Sequence, residues 1–190
     1  DGWDCVIATG DRDSLQLITD RTRVLLLPGG RNDGARNMTQ KTFRAEYGFD
    51  PIHIIDLKAL MGDSSDNIPG VAGVGPKTAT DLLLKFGTLD GVYEHLQDPS
   101  IRPKLREKLE ADKEKAYLSY DLATIRTNAP IDFSPKNAIT QPYNRLELFK
   151  LFTRLEFVRL IDRYGLRGAE LEEAASESAE ESPRETLPWV

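Results

Sequence analysis

The chain has 190 residues, and its hydrophobic fraction of 39% can fill a core, while a mean hydropathy of -0.43 and the lack of any run near the ~18 apolar residues of a spanning helix argue against a membrane protein. One cysteine, Cys5, excludes an internal disulfide, and with only His53 and His95 beside it no zinc site can be built. The net charge of -6 is concentrated in residues 170–190, which hold seven acids and one base, so the remainder is balanced at 24 acids and 24 bases and can still present a basic face.

In chain order, the opening Asp1-Gly2-Trp3-Asp4 is acidic and polar, unlike a secretory signal, and the composition fits a reducing cytoplasm. Trp3 to Thr9 reads as a short buried strand with Cys5 as a small buried thiol, and Gly10-Asp11 turns the chain at its C-terminal end. Val24 to Leu27 is the only other clear strand. Two strands make no stable sheet alone, so neighbouring strands are expected upstream of this sequence. Gly29-Gly30 reads as a plain turn.

From there the pattern becomes helical. Asp50-Pro51 supplies an N-cap and a first-turn proline, with Ile52, Ile55, Ala59 and Leu60 as the apolar stripe. Pro76 to Phe86 predicts a second helix stopped by Gly87, and Thr88 caps a third carrying Leu89, Val92, Tyr93 and Leu96. Arg102 to Ile125 reads as charged and helical. Arg145 to Tyr164 reads as one amphipathic segment burying Leu148, Leu151, Phe152, Leu155, Val158 and Ile161. The Glu, Ala and Ser rich stretch 172–188 reads as a disordered linker, and Trp189 has the look of the start of something further.

Three stretches carry chemistry. In Gly10-Asp11-Arg12-Asp13, two carboxylates stand just past a strand's carboxyl end, where ligands sit in open α/β sheets; the alternative is a helix N-cap. An EF-hand fails because Leu15 and Gln16 stand where a ligand and a glycine are needed. In Gly62-Asp63-Ser64-Ser65-Asp66-Asn67, Asp63 and Asp66 share a face if the turn is helical; the alternative is a solvated turn. Carboxylates without histidine or cysteine favour Mg²⁺ or Mn²⁺, and paired ions of this kind hydrolyse phosphodiesters. In Ile68 to Ala79, Gly73 and Gly75 allow a tight turn, Pro76 opens a helix, and amides near Gly75, Lys77 and Thr78 suit a phosphate at the helix N-terminus. A bare packing corner would explain the glycines but not the Pro-Lys-Thr that follows.

The blocks 10–17 and 62–79, in that order and roughly fifty residues apart, closely resemble the 5′ nuclease domain of bacterial DNA polymerase I, within the flap endonuclease superfamily. The resemblance runs from about Asp1 to Gly168, and the acidic tail is similar to the linker towards the polymerase. It implies that Asp11, Asp13, Asp63 and Asp66 are second-metal ligands and catalytic carboxylates. It also implies that Gly70, Val71, Gly73, Val74, Gly75, Lys77 and Thr78 belong to a helix-three-turn-helix that grips duplex DNA, with K⁺ held on carbonyls from Gly70 to Gly75. The family's upstream half, with its first-strand Asp, helical arch and Glu-x-Asp-Asp cluster, has no counterpart in this sequence, so about half of the metal site is expected here and no cleavage by the chain alone.

The expected fold is α/β: the edge of a mostly parallel sheet over 1–49, then a helical DNA-binding region over 50–168 with a helix-hairpin-helix at about 57–97, then an acidic linker over 169–190. The expected partners are DNA with a 5′ end or flap and RNA primer–DNA duplex, with no membrane. The rival reading is a non-catalytic, sequence-independent duplex-binding module. Lys104, Arg106, Lys108, Lys113 and Lys115, interleaved with acids, read as a solvated helix face; Tyr117 and Tyr120 read as core or rim, and His53 and His95 carry no assigned role.

Overall fold

A computed structural model describes residues 2–29 and 34–168. The expected linker, Trp189 and Gly30 lie outside the described residues. Within them no helix is long and apolar enough to cross a membrane. The fold is mixed α/β, with three strands and eight α-helices among the described residues, and the chain divides into two compact units, 1–129 and 130–190.

The first unit opens with β1 (Cys5–Thr9), a 3₁₀ segment (Arg12–Leu17), β2 (Thr22–Leu26) and β3 (Arg36–Met38), in the sheet order β1-β2-β3. β1 runs parallel to β2, Cys5 opposite Thr22 and Thr9 opposite Leu26. β3 returns antiparallel, Val24 opposite Met38. The sequence reading missed β3, because Arg36-Asn37-Met38 is short and polar and becomes a strand only by pairing with β2. It also misjudged β1. Cys5 is exposed and Val6 is 47% exposed, since neither face of β1 is packed over there among the described residues and only Ile7 packs against the core. Strand propensity reports that a segment is extended, not which of its faces is covered.

Helices follow: α1 (Gln40–Tyr47), a 3₁₀ turn (Pro51–His53), α2 (Ile54–Met61), α3 (Pro76–Phe86), α4 (Leu89–Glu94), α5 (Pro103–Ala111) and α6 (Lys113–Ala123). Thr39 and Thr42 form a reciprocal capping box on α1. Asp50 caps nothing with its side chain and pairs instead with Arg44, while Ile52 is exposed, so the expected stripe starts at Ile54. α2 is buried on all sides from Ile54 to Leu60, as befits a central helix. One core joins Leu15 and Val24 of the sheet region to Leu60, Leu83, Val92 and Leu109 of the helices, so no packing boundary falls at 49/50. Truncating a fully buried side chain such as Leu60 to alanine costs about 2–5 kcal/mol.

Two polar groups on α2 are buried with the rest. Asp56 accepts from the Leu89 amide at 2.8 Å and meets His53 Nδ1 at 2.9 Å, which stitches α2 to α4. Lys58 is the other, and it shapes the site below. Buried Gln16 donates to the Ala123 carbonyl at 2.9 Å and accepts from the Ile125 amide at 2.8 Å, fastening the 3₁₀ segment to the end of α6. The expected helix over 102–125 is two helices broken at Asp112, whose backbone leaves helical geometry.

In the second unit, α7 (Arg145–Arg154) and α8 (Val158–Arg163) enclose a small core of Phe149, Ile161 and Leu166. The single amphipathic segment is broken here as well. Glu156 adopts φ 57° and the Phe157 amide bonds back to the Phe152 carbonyl at 2.8 Å. Leu151, Leu155 and Val158, expected in the buried stripe, are exposed.

Candidate metal centre and nucleic-acid interface

The first carboxylate pair follows β1 directly. The Asp11 amide bonds to Thr9 Oγ1 at 3.0 Å, and Asp11 Oδ1 accepts the Asp13 amide at 2.9 Å. Asp11 is therefore the N-cap of the 3₁₀ segment, the alternative left open in the sequence, and it orients the backbone of Asp13. The second pair follows α2. Gly62, at φ 74°, ends the helix, and Asp63 and Ile68 exchange backbone hydrogen bonds of 2.9 and 2.8 Å that close the 63–68 loop. Asn67 sits in the left-handed region at φ 57°, which asparagine tolerates better than most residues. Asp63 Oδ1 accepts the Ser65 amide at 2.9 Å as well as its hydroxyl.

The fold brings three of the four aspartates together. Carboxylate oxygens of Asp13, Asp63 and Asp66 lie within 4.8 Å of one another, and Asp11 is outside this group. Lys58 enters the same space: its ammonium bonds to Asp13, lies 2.7 Å from Asp63 and stands 3.7 Å from Asp66. The Lys58 side chain is 9% exposed, against 20%, 18% and 50% for the three aspartates. Like charges this close repel, and the lysine offsets that repulsion. The Lys58 hydrogen bond, followed by that of the Ser65 hydroxyl, lowers the Asp63 carboxyl to about 2. Sequence reading passed over Lys58, yet a signal was there. A lysine inside the Ile54–Leu60 helix, where Asp56 is the one other polar residue, must find acids, because a buried ammonium is untenable without them.

Residues 70–75 lean on the same loop. A Cβ on Gly70 (φ 60°) would sit 2.2 Å from the Gly62 nitrogen, so these two glycines let the carboxylate loop and the turn touch backbone to backbone. The Gly70 amide donates to Ser119 Oγ at 2.9 Å, and that hydroxyl donates to the Lys115 carbonyl at 2.7 Å. The Val71 amide reaches the Leu60 carbonyl at 2.9 Å, and the Ala72 amide reaches Asp112 Oδ2, also at 2.9 Å. The hydrogen bond from Lys115, then that from the Ala72 amide, holds the Asp112 carboxyl below its ordinary range. Asp112 and Ser119 are anchors the sequence did not reveal, since their partners lie 40 and 49 residues away.

Of the seven residues assigned to DNA, Gly70, Val71 and Val74 are buried, so the two valine side chains root the turn in the core and cannot face a ligand. Gly73, Gly75 and Lys77 are exposed and Thr78 is half-buried. No side chain caps α3, whose first turn is Pro76-Lys77-Thr78, so the Lys77 and Thr78 amides have no partner within their own helix. The basic stripe divides. Arg106 donates to the Leu96 carbonyl at 2.6 Å, Lys113 lies 5.3 Å over the Tyr93 ring and Lys115 pairs with Asp112 at 2.7 Å, whereas Lys104 and Lys108 face a cleft beside the turn. Tyr117 and Tyr120 lie at the rim, Tyr117 donating to Asp90 at 2.6 Å. His95 bonds to the Gly91 carbonyl and stacks on Phe86.

The mixed α/β fold is that of the flap nucleases. The chain belongs to the family described as 5′-3′ exonuclease, C-terminal SAM fold, which matches residues 49–146. It is 43% identical over 176 residues to DNA polymerase I of Bacillus subtilis, covering 93% of this chain and 20% of that protein. It is 38% identical over 192 residues to the thermostable DNA polymerase I of Thermus filiformis, covering 100% and 20%. The chain thus spans about a fifth of the length of the curated relatives it matches. Among solved structures it is similar to T5 5′-exonuclease with bound divalent metal ions (zinc), at TM-score 0.53 and 26% identity, covering 62% of this chain and 42% of that one. The catalytic core of Rad2 with DNA substrate aligns at TM-score 0.50 and 17% identity, over 78% of this chain and 51% of that one, a likeness of fold alone.

Proposed function

We propose that this chain is part of a divalent-metal-dependent 5′-3′ exonuclease and flap endonuclease that hydrolyses phosphodiesters near 5′ ends in replication and repair, attached to a DNA polymerase. The observation that carries the reading is the meeting of Asp13, Asp63 and Asp66, from two motifs about fifty residues apart, beside the glycine turn. The donor set fits a hard cation such as Mg²⁺ or Mn²⁺: three carboxylates converge, and the group already on them is a positive charge. A bound divalent ion supplies charge to a phosphodiester oxygen and a source of hydroxide at neutral pH.

The chain's own residues do the rest. Asp13, Asp63 and Asp66 hold the cation, Asp11 fixes Asp13, and Lys58 yields carboxylate oxygens to the ion. α2, the turn and α3 act as the helix-three-turn-helix. Gly73, Gly75, Lys77 and Thr78 hold duplex backbone phosphates without reading bases, and K⁺ on backbone carbonyls between Gly70 and Gly75 would add to that grip. The substrates in this reading are DNA with a 5′ flap and RNA primer–DNA duplex.

The test is cleavage of a 5′-labelled flap duplex by the longer polypeptide that carries this chain. Asp63→Asn with Asp66→Asn should abolish Mg²⁺-dependent cleavage while folding and duplex binding in EDTA persist, and the 190-residue chain alone should bind without cutting. Undiminished cleavage after both replacements would remove the carboxylate assignment. The rival binding module draws support from Lys58, which satisfies the aspartates with no metal at all. It predicts that the longer wild-type polypeptide binds duplex but leaves the flap uncut.

A further inference from the structure

A cavity of about 210 Å³ opens at the opposite end of α2 from the carboxylate loop. His53 and Asp56 line it from the start of that helix, Asp90 from α4, and Tyr117 and Tyr120 from α6, with Ile52 beside them. No lysine or arginine is in the lining. Asp56 has both oxygens engaged, one by the Leu89 amide at 2.8 Å and the other by His53 Nδ1 at 2.9 Å. Asp90 is exposed. One of its oxygens accepts from the Tyr117 hydroxyl at 2.6 Å, and it makes no ion pair among the described residues.

These walls do not suit the ligands of the centre described above. Two carboxylates without a balancing lysine or arginine repel phosphate, so the cavity takes no part in holding a nucleic-acid backbone. A hard metal ion needs several converging oxygens, and with Asp56 saturated only Asp90 is left to offer one. The tyrosines favour a cation with a flat face. Partial burial, then the hydrogen bond to Asp90, pushes the Tyr117 hydroxyl up to about 12. Partial burial, then the charges of Asp56 and Asp90, raises that of Tyr120, so both rings stay neutral. Tyr117 already accepts one cation from its own chain, Lys113, whose ammonium lies 6.0 Å from the ring centroid. Tyr120 has no such neighbour among the described residues, and its hydroxyl makes no hydrogen bond among them. Ile52, 51% exposed, adds apolar surface at the same place.

We infer that this cavity is a docking site for an arginine side chain of a partner polypeptide, its guanidinium bonded to Asp90 and laid against Tyr117 and Tyr120, with an apolar neighbour of that arginine on Ile52. Charge complementarity selects a cation. The rings select arginine, because a guanidinium lies flat on a tyrosine while its edge donates to a carboxylate, whereas an ammonium is a point charge. Arginine and tyrosine are also both enriched where proteins meet. The inference stands apart from the proposed function, since none of these residues belongs to the carboxylate group or the turn.

The experiment is a titration of the isotope-labelled 190-residue chain, followed by amide chemical shifts in EDTA. The probe is the capped tripeptide acetyl-Leu-Arg-Leu-amide, taken to millimolar concentration, with acetyl-Leu-Gln-Leu-amide and spermidine as comparisons. The arginine peptide should move the amides of Leu89, Asp90, Tyr117 and Tyr120, and the other two should not. Asp90→Asn should weaken its Kd about tenfold, the worth of one charge-assisted hydrogen bond. Glu110→Gln, which removes the same charge outside the lining, should leave the Kd as it is. Tyr120→Leu keeps apolar bulk and should weaken binding through loss of the ring face. Thermal melting of each variant controls for folding. Equal shifts with the glutamine peptide would reduce the cavity to an apolar contact, and equal shifts with spermidine would reduce it to a general cation attractor. Either result overturns the arginine assignment, as would shifts confined to the neighbourhood of Asp13, Asp63 and Asp66, or no shift at all.

Discussion

Two regions of opposite charge lie on either side of the 62–75 segment, and they are built differently. The acidic region is compact: three carboxylates within 4.8 Å and a buried lysine among them. The basic region is spread over α3 and α5, and its cations are long, exposed and mostly unpaired. A small hard ion needs converging donors held tightly, whereas a polyanion needs charge distributed along a surface and can leave each contact loose. What the two regions share is the Gly62–Gly70 contact, which sets the carboxylate loop against the turn.

The largest expected effect breaks that shared joint. Gly70→Ala places a methyl 2.2 Å from the Gly62 nitrogen at φ 60°. The clash and the left-handed backbone together should cost about 2–5 kcal/mol. Urea unfolding should show it, with duplex binding weakened in the same variant. A midpoint equal to wild type would mean that the two loops can separate freely.

A smaller change separates the regions. Lys58→Met strips the acidic region of its internal cation and should cost about 1–3 kcal/mol in EDTA. That is less than the 3–5 of a fully buried pair, because the aspartates retain contact with water. Mn²⁺ should restore more of the melting temperature in the variant than it adds to wild type, while the salt slope of duplex binding stays put. Equal metal responses would show that lysine and metal do not share the carboxylates.

The smallest effect is on pH. Asp63 titrates lower in the folded protein, at about 2, than in the unfolded chain. Its contribution is therefore present above the ordinary carboxylate range, near ~3.9, and fades as pH falls towards 2. Since Lys58 is the main cause of the shift, the stability gap between wild type and Lys58→Met in metal-free buffer should narrow through that window. A gap that stays constant from pH 4 to 2 would place the cause elsewhere.

The sequence by itself determined the local elements and the motifs. Pro76 and Gly87 bound α3, Thr88 caps α4, and the two aspartate motifs flank regular elements as their composition required. The family was legible for the same reason: its motifs are contiguous and depend on neighbours a few residues away. Only the tertiary structure decided what depends on distant partners. β3 forms because β2 lies beside it; the side chains of Cys5 and Val6, on opposite faces of β1, are exposed because neither face is packed over there among the described residues. Asp112 and Ser119 come to the turn from a helical region that had looked continuous, because a break at residue 112 aims one of them. Lys58 drew no reading from the sequence, and Lys108 had looked like a solvated charge. Packing sent the first inward among acids and left the second facing the cleft, since a side chain's role follows from what surrounds it in space, and a one-dimensional pattern records only what precedes and follows it.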